Sequence, residues 1–121
     1  EAAKRGEIPY INGDGETTRD FTFVENAVQA NIKALLADEL NQHEVINIAY
    51  GERTTLNQLW QRITETAGIE LASEYREERN GDVRHSLADI SKANQPIGYN
   101  PEFSVTVGLD IAFAWYKENT K

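Results

Sequence analysis

Residues 12–21 read NGDGETTRDF and hold two glycines, several acidic side chains and one arginine. Gly13 and Gly15 permit positive φ angles and a close approach of a ligand to the backbone. Successive N–H groups in such a turn can form an anion-binding concavity, and the planar guanidinium of Arg19 suits a phosphate. Composition alone favours a simpler interpretation, an Asn-Gly turn beside a surface arginine. The pattern is not the dinucleotide-binding fingerprint, because the third glycine of that motif is missing.

The flanking residues predict a strand before this turn and a helix after it. Residues 8–11, IPYI, end at Asn-Gly and are typical of a short strand. Residues 22–25, TFVE, have the Thr-x-x-Glu spacing of a capping box. The helix that follows is expected to reach about Leu40. Its apolar stripe consists of Val24, Val28, Ile32 and Leu35.

The middle of the chain predicts a strand, a helix and a further strand. Residues 44–50, EVINIAY, form a β-branched run that Gly51 ends. Residues 55–58, TLNQ, predict a capping box for a strongly amphipathic helix that Gly68 closes. Apolar and more polar residues then alternate over residues 69–75, which favours a third strand.

Helical patterns occupy both ends of the chain. Residues 1–5 are typical of the last turn of a helix with Gly6 behind it, and residues 105–119 predict a final helix. Between them Asp89 is expected to cap a short helix that Pro96 stops. The chain is therefore expected to be a small α/β domain, mixed and α+β-like, with about four helices and three short strands. Because it opens inside a helix, we expect a piece of a longer protein; a processed small protein is the alternative.

Length and composition indicate one globular domain, residues 1–121. The formal net charge of −8 disfavours nucleic acid and anionic membranes as partners, and no apolar run approaches the ~20 residues of a membrane span. Cysteine is absent and the histidines are His43 and His85, so we expect no metal site and a cytoplasmic location. An anionic ligand must be held by a local basic cluster against the overall charge.

A second loop offers such a cluster. Residues 79–86, RNGDVRHS, place Arg79 and Arg84 around a glycine turn, where they can clamp a diphosphate while Asp82 accepts hydrogen bonds from sugar hydroxyls. The alternative is a solvated charged loop, which the neighbouring acidic residues favour. Two glycine–arginine loops in one small domain strengthen the case for a site.

Patterns typical of catalysis are poor. The serines have no histidine at a telling spacing, and no pair of acids is spaced like a glycosidase couple. Tyr116 has a lysine at Lys121, one position beyond the Tyr-x-x-x-Lys spacing of a dehydrogenase. We therefore expect no catalytic residue in this chain.

Three separated segments, taken together, resemble a known family. They are YINGDGETTRDFTFVENAVQAN at residues 10–31, INIAYGERTTLNQL at residues 46–59, and YREERNGDVRHSLADISKA with GYNP at residues 75–101. This order resembles the C-terminal, substrate-binding part of extended short-chain dehydrogenases/reductases, the NAD-dependent epimerase/dehydratase family. The closest resemblance is to the UDP-N-acetylglucosamine 4-epimerases, bacterial enzymes that interconvert UDP-GlcNAc and UDP-GalNAc, and "GDVRHS" supports that subgroup.

The resemblance implies roles for the first half of a substrate site. Tyr10 and Asn12 match positions on the strand that runs beside the uridine. Arg19 matches the arginine of the family's G-D-G-x-x-x-R-D segment, which contacts the UDP moiety. The turn at residues 12–21 is thereby expected to present Arg19 to a nucleotide diphosphate.

The second half of the site is implied by the later loop. Arg79 matches the arginine of the family's R-x-G-D motif, a ligand of the diphosphate, and Asp82 matches its aspartate, which binds a ribose hydroxyl. Ser86 falls where the family has a wall of the sugar pocket. A small residue there leaves room for an N-acetyl group.

The implied activity is reversible hydride transfer at sugar carbon 4, for which the family uses NAD and a tyrosine base. The glycine-rich NAD loop and the Tyr-x-x-x-Lys pair of the family are not among these residues. We therefore predict that the chain binds a UDP-sugar, holds no NAD and is inactive alone, while the full-length enzyme is a homodimer. A nucleotide-sugar dehydratase, decarboxylase or uronate epimerase, and a non-catalytic binding module, are the alternatives.

Isolation of this lobe has an expected consequence for association. The residues 45–49 are expected to lie against a larger sheet in the full enzyme and to present unpaired strand edges without it. The lobe is therefore expected to self-associate, which light scattering at several concentrations measures.

Overall fold

The chain forms a mixed α/β lobe of five helices and four very short strands within residues 2–38, 40 and 43–119, which the computed structural model describes. The fold class expected from the sequence is confirmed. The structure has five helices and four strands in these ranges, where about four helices and three strands are expected from the sequence. The elements are α1 (Ala2–Arg5), β1 (Tyr10–Asn12), β2 (Thr18–Arg19), α2 (Val24–Leu35), β3 (Thr54–Thr55), α3 (Leu56–Ala67), β4 (Glu74–Arg76), α4 (Ser91–Ile97) and α5 (Val105–Asn119).

The four strands form two small ladders that bring distant segments together. β1 pairs in parallel with β4, with Asn12 opposite Arg76. β2 pairs antiparallel with β3, with Thr18 opposite Thr55. The Gly13 N–H donates to the Arg76 carbonyl oxygen at 2.8 Å, so the turn after β1 and the loop after β4 start side by side.

The helix α3 begins and ends as its sequence predicts. The Thr55 hydroxyl accepts from the Gln58 N–H at 3.0 Å, and the Gln58 side-chain carbonyl accepts from the Thr55 N–H at 2.9 Å. This reciprocal pair is the expected capping box, which satisfies two N–H groups that the first turn leaves without intrahelical partners. Gly68 closes the helix in the left-handed conformation, with φ of 66°.

The expected capping box of α2 at Thr22 is wrong. Phe23 occupies the N-cap in an extended conformation, and this N-cap residue makes no side-chain hydrogen bond to the helix. The Phe23 ring packs on Phe103, with ring centroids 5.6 Å apart, so a tertiary contact rather than a local hydrogen bond fixes where α2 begins. The helix ends at Leu35 instead of near Leu40; Glu39, within the predicted stretch, lies outside the described residues.

The apolar stripe of α2 lies on the surface of the described chain. Its four members are between 46% and 84% exposed. The residues that α2 buries are Asn26 and Ala30, one helical turn apart on a different face. Periodicity thus identifies the apolar face correctly, while the packing of this lobe uses the other side.

The predicted strand at residues 44–50 is wrong, since these residues join no β-ladder in the described part of the chain. Side chains bind its carbonyl groups instead. The Tyr99 hydroxyl donates to the Ala49 carbonyl at 2.7 Å, and Lys92 Nζ donates to the Val45 carbonyl at 2.9 Å. These bonds replace those of a neighbouring strand and attach the segment to α4 and the residues just after it.

The third predicted strand is shorter than expected, and the first predicted strand begins later than expected. Alternation predicts a strand over residues 69–75, whereas β4 spans only Glu74–Arg76. The first strand begins at Tyr10 instead of Ile8. In both cases the ladder covers only the three residue pairs of the β1–β4 register.

The short helix α4 departs from its predicted boundaries. Pro96 lies inside it rather than stopping it, and Gly98 ends it with φ of 62° and an N–H bond to Ala93. A proline near the end of so short a helix removes few intrahelical bonds. Ile90, not Asp89, is the N-cap residue, and the Asp89 carboxylate accepts from the Ser91 N–H at 2.9 Å.

Both terminal helices follow their predictions. α1 ends before Gly6, which has φ of 67°; Glu1 of the predicted turn lies outside the described residues. α5 spans the predicted 105–119. Gly108 of α5 packs directly on Phe23, which brings α5 against the start of α2. No helix in the described ranges is long and apolar enough to cross a bilayer.

Candidate functional site

The two glycine–arginine loops lie side by side. The buried Thr18 N–H donates to the Arg84 carbonyl at 2.9 Å, and the Ser86 N–H donates to the Thr18 carbonyl at 3.2 Å. The Thr18 hydroxyl and His85 Nδ1 are 3.1 Å apart. A short parallel bridge at Thr18 therefore joins β2 to the loop of residues 77–86.

Arg19 closes onto the second loop. Its guanidinium donates to the Val83 carbonyl at 2.6 Å and to the Thr18 carbonyl at 2.8 Å, and it forms an ion pair with the Asp82 carboxylate. The family resemblance implies that Asp82 binds a ribose hydroxyl. The two predicted substrate-binding residues, Arg19 and Asp82, thus bind each other. A substrate that contacts either must share this ion pair or break it.

Arg84 is compensated by two carboxylates. Its guanidinium lies 2.6 Å from Asp14 Oδ2 and 3.0 Å from Glu78 Oε1. Hydrogen bonding to Arg84 is the main cause that lowers the pKa of Asp14, and the same pair raises the pKa of Arg84. The residue thereby links the turn after β1 to the loop after β4.

Arg79 has no such compensation. Its side chain is exposed and has neither ion pair nor hydrogen bond within the described ranges. Its carbonyl accepts from the Asp82 N–H at 3.1 Å, which closes the Asn-Gly turn where Gly81 has φ of 82°. The turn leaves Arg79 at a small hollow of about 30 Å³. The lining residues are Asn12, Thr17, Glu78, Arg79, Asp82 and Arg84.

Strand β1 brings Tyr10 and Asn12 to the same side. Successive strand residues alternate between faces, and Ile11 between them is buried while Tyr10 is exposed. The Arg76 guanidinium carbon lies 3.2 Å from the centre of the Tyr10 ring, a cation–π contact. Asn12 lines the small hollow, so β1 reaches it from one side.

All six predicted site residues therefore lie on adjoining segments: β1, β2 and the loop of residues 77–86. Two further arginines lie beside these residues. Arg76 is not among the predicted site residues, and Arg84, expected from the sequence to clamp a diphosphate with Arg79, is bound by Asp14 and Glu78 instead. A run of four charges at residues 76–79 is typical of a solvated loop, which hides the contact of Arg76 with Tyr10. The opposite charges of Asp14 and Arg84 are the feature of the sequence that could have indicated that the two loops pair.

Asp20 fixes the backbone next to Arg19. Its carboxylate accepts from the N–H groups of Tyr50, at 3.2 Å, and Gly51, at 3.1 Å and 3.2 Å. Two N–H groups bound to one carboxylate hold the end of residues 44–50 beside β2. Asp20 is thus a structural residue, whereas the preceding Arg19 faces the second loop.

The depressed pKa of Asp14 gives a testable pH dependence. A carboxyl whose folded pKa lies below its ordinary value of 3.8 stabilises the fold above the unfolded pKa, and this contribution disappears as the pH falls through the folded pKa. In Arg84→Ala the Asp14 pKa should return towards its ordinary value. Carboxyl-carbon NMR titration measures it.

Asp89 provides the control for this titration, because Ser91 rather than Arg84 lowers its pKa. Its midpoint should be the same in the wild type and in Arg84→Ala. An Asp14 midpoint that stays put in the variant contradicts the assignment of the shift to Arg84.

Two further features lie outside the two loops or concern the whole described chain. No group of three or more His, Asp or Glu side chains suited to a metal ion is present in the part of the chain that the structure describes. A separate cavity of about 430 Å³ lies among α1, α3 and α5, and its lining is mainly apolar. The six predicted site residues lie instead at β1, β2 and the loop of residues 77–86.

Comparison with known proteins defines the class. The family model described as GDP-mannose 4,6 dehydratase matches residues 1–111. The chain belongs to this family, and the resemblance to extended short-chain dehydrogenases/reductases predicted from its motifs is confirmed. It spans 37% of the length of one curated relative and 33% of another.

Three of the solved structures to which this chain is similar are UDP-sugar 4-epimerases. The UDP-glucose 4-epimerase of Thermotoga maritima, solved with UDP-glucose, is 35% identical over 99% of this chain and 38% of its own, with a TM-score of 0.91. The UDP-N-acetylglucosamine 4-epimerase of Methanobrevibacter ruminantium M1, solved with UDP-N-acetylmuramic acid, is 34% identical over 94% and 37%, with a TM-score of 0.80. The UDP-glucuronic acid 4-epimerase of Bacillus cereus, solved with UDP-glucuronic acid and NAD, is 26% identical over 97% and 37%, with a TM-score of 0.89.

Proposed function

We propose that this chain is the UDP-sugar-binding lobe of an NAD-dependent 4-epimerase whose substrates are UDP-GlcNAc and UDP-GalNAc. The observation that carries the proposal is the uncompensated guanidinium of Arg79 at the hollow between the two loops. In a chain of net charge −8, an exposed arginine beside a glycine turn is a local attraction for an anion. The family and the UDP-sugar ligands of the solved relatives support a nucleotide diphosphate as that anion.

Each site residue has a role in this proposal. Arg79 binds the diphosphate, and Arg19 joins it when the ligand shares the Arg19–Asp82 pair. Asp82 then accepts a ribose hydroxyl, while the strand of Tyr10 and Asn12 lies beside the uridine. A guanidinium bound to a phosphate makes two parallel N–H···O bonds, which fixes the orientation as well as the position of the ligand.

In this proposal the sugar is received at the C-terminal end of the second loop. Ser86 is exposed and its N–H is held by the Thr18 carbonyl, so its short side chain keeps a fixed position beside β2. A small residue at that position leaves room for an N-acetyl group. In the proposal this room admits the N-acetyl group, which a large residue at position 86 would crowd.

NAD belongs to the whole protein in this proposal, and the residues of this lobe do not fit it. The NGDG turn lacks the third glycine of a dinucleotide loop. The Asn57 amide fills the space where a Cβ of Gly15 would stand, so the backbone there is already covered. When bound elsewhere in the protein, NAD supplies the reversible oxidation at sugar carbon 4, and this lobe orients the sugar for it. We propose a cytoplasmic homodimer for that whole protein.

Replacing Arg79 by alanine tests the proposed site directly. UDP binding should weaken by about 1.5–3 kcal/mol, the value of a hydrogen bond to a charged group, which is roughly a 10- to 150-fold loss in affinity. Isothermal titration calorimetry, with amide NMR shifts to locate the ligand, measures it. UMP should bind the wild type more weakly than UDP, because it lacks the second phosphate.

Arg5→Ala is the matched control, since it removes the same charge from the exposed end of α1. It should leave the UDP affinity unchanged within error. Equal losses in the two variants would reduce the role of Arg79 to net charge, and no loss in Arg79→Ala would remove it from the site.

A uronate epimerase is the second candidate, because the lobe superimposes on a UDP-glucuronic acid 4-epimerase with a TM-score of 0.89. Competition among UDP-GlcNAc, UDP-glucose and UDP-glucuronic acid for the wild-type lobe separates the two. Tighter binding of UDP-GlcNAc supports the first candidate, whereas a preference for UDP-glucuronic acid supports the second.

A further inference from the structure

We propose that Arg84 is the positioning residue of this site: it ties the turn of residues 12–16 to the loop of residues 77–82, so that Asn12 and Arg79 border the same hollow. The inference rests on the proposed function for what the hollow binds. It does not rest on it for the coupling of the two loops, which is argued from the contacts of Arg84.

The side chain of Arg84 links two segments that follow the last pair of the β1–β4 ladder, Asn12 opposite Arg76. One guanidinium nitrogen binds Asp14 in the first turn at 2.6 Å, and another binds Glu78 in the second loop at 3.0 Å. The other oxygen of Asp14 accepts from the Glu16 N–H at 2.9 Å. The Asp14 carboxylate is therefore held at both oxygens, and its orientation sets that of the turn.

The backbone of Arg84 adds a third attachment. Its carbonyl accepts from the Thr18 N–H at 2.9 Å, and Thr18 is buried on β2. One residue thus contacts the first turn, the second loop and the strand that carries Arg19. A guanidinium is suited to this task because it presents several N–H donors in a rigid plane.

The neighbouring glycine is part of the same arrangement. The Glu78 side chain lies over Gly13, and a Cβ placed there would be 3.0 Å from Glu78 Cγ. Gly13 also has φ of 79°, which other L-residues rarely adopt. A glycine at this position therefore lets Glu78 cross the turn and reach Arg84.

The charge balance separates Arg84 from Arg79. Two carboxylates surround the single positive charge of Arg84, so it offers little net attraction to an incoming anion. Arg79 lies two residues before Gly81 and has no ion pair in the described ranges, so it keeps its charge for a ligand. We therefore assign Arg84 to holding the loops and Arg79 to binding.

Amide NMR of the whole chain tests this assignment with and without UDP. In Arg84→Ala the heteronuclear NOEs of Gly13, Gly15 and Gly81 should fall, and the UDP affinity should drop roughly 3- to 10-fold, as expected for two exposed ion pairs. Arg84→Lys offers a point charge in place of a planar fork. Its loop NOEs and its UDP affinity should lie between those of the wild type and those of Arg84→Ala. Sub-denaturing guanidinium chloride should restore affinity to Arg84→Ala, while the same concentration of sodium chloride should not.

Arg62→Ala is the matched control, because Arg62 also binds two carboxylates, Glu65 and Asp110, but between α3 and α5. It should change neither the loop NOEs nor the UDP affinity. Unchanged loop NOEs in Arg84→Ala overturn the proposal, as does an unchanged UDP affinity once the wild type binds. If the wild type binds no UDP while both loops loosen in Arg84→Ala, the proposed function fails and the coupling by Arg84 stands.

Discussion

Replacing Asn26 by alanine should lower the free energy of unfolding by about 2–4 kcal/mol, a large part of the 5–15 kcal/mol typical of a domain. Asn26 is 0% exposed. Its amide nitrogen donates to the Phe103 carbonyl at 2.8 Å, and its oxygen accepts from the Glu102 and Phe103 N–H groups at 3.0 Å and 3.1 Å. Alanine leaves these three backbone groups without partners next to the packed Phe23 and Phe103 rings.

Chemical denaturation of the wild type and variant measures this loss. Asn31→Ala is the control, since Asn31 lies on the same helix with its side chain exposed, and such surface changes usually stay within about 0.5 kcal/mol. A loss for Asn26→Ala no larger than that of Asn31→Ala would mean that the three hydrogen bonds contribute nothing net.

Replacing Gly15 by alanine should cost about 2–4 kcal/mol as well, through backbone strain together with lost hydrogen bonds. Gly15 has φ of 78°, and a Cβ there would overlap the Asn57 amide. Asn57 cannot easily move, because its amide nitrogen donates to Asp14 and Glu16 and its oxygen accepts from the Tyr75 hydroxyl. The substitution therefore breaks the connection between the first turn and the start of α3.

Gly81→Ala isolates the strain from the steric part of this effect. Gly81 has φ of 82° and nothing within 4 Å of a placed Cβ, so only the positive φ is penalised, at about 1–2 kcal/mol. Denaturation midpoints of both variants, read against the wild type, give the difference. Equal losses at the two positions would show that Asn57 yields to the methyl group without cost.

Local signals in the sequence predicted local structure well. The capping box at Thr55 and the glycine at Gly68 depend on residues within one helical turn of each other, so the sequence contains all that decides them. The two loops were identified in the same way, from glycines and charges close together in the chain. The family resemblance then indicated that they belong to one site.

The predictions that failed depend on partners far away in the sequence. Thr22 does not cap α2 because Phe23 packs on Phe103, eighty positions on. Residues 44–50 join no ladder in the described part of the chain, and the distant Tyr99 and Lys92 bind the carbonyl groups of Ala49 and Val45. Asn26, a polar residue amid a helical pattern, gives no sign by itself that two distant N–H groups need its oxygen.

One feature of the site could not be predicted from the sequence, namely which of its arginines are in ion pairs. Charge patterns showed arginines near acids, but not which arginine is compensated. Only the contacts distinguish Arg19 and Arg84, which are in ion pairs, from Arg79, which is in none within the described ranges.

The bridge between Thr18 and His85 sets the order in which this lobe can assemble. It joins residues 67 positions apart, and closing so long a segment has an entropic cost that must be met before the contact is formed. We therefore expect the capped α3 helix, which is local, to form early and the two loops to meet late. A molecule that spans both loops therefore recognises only chains that have finished folding, and by mass action it stabilises the entire lobe rather than one segment.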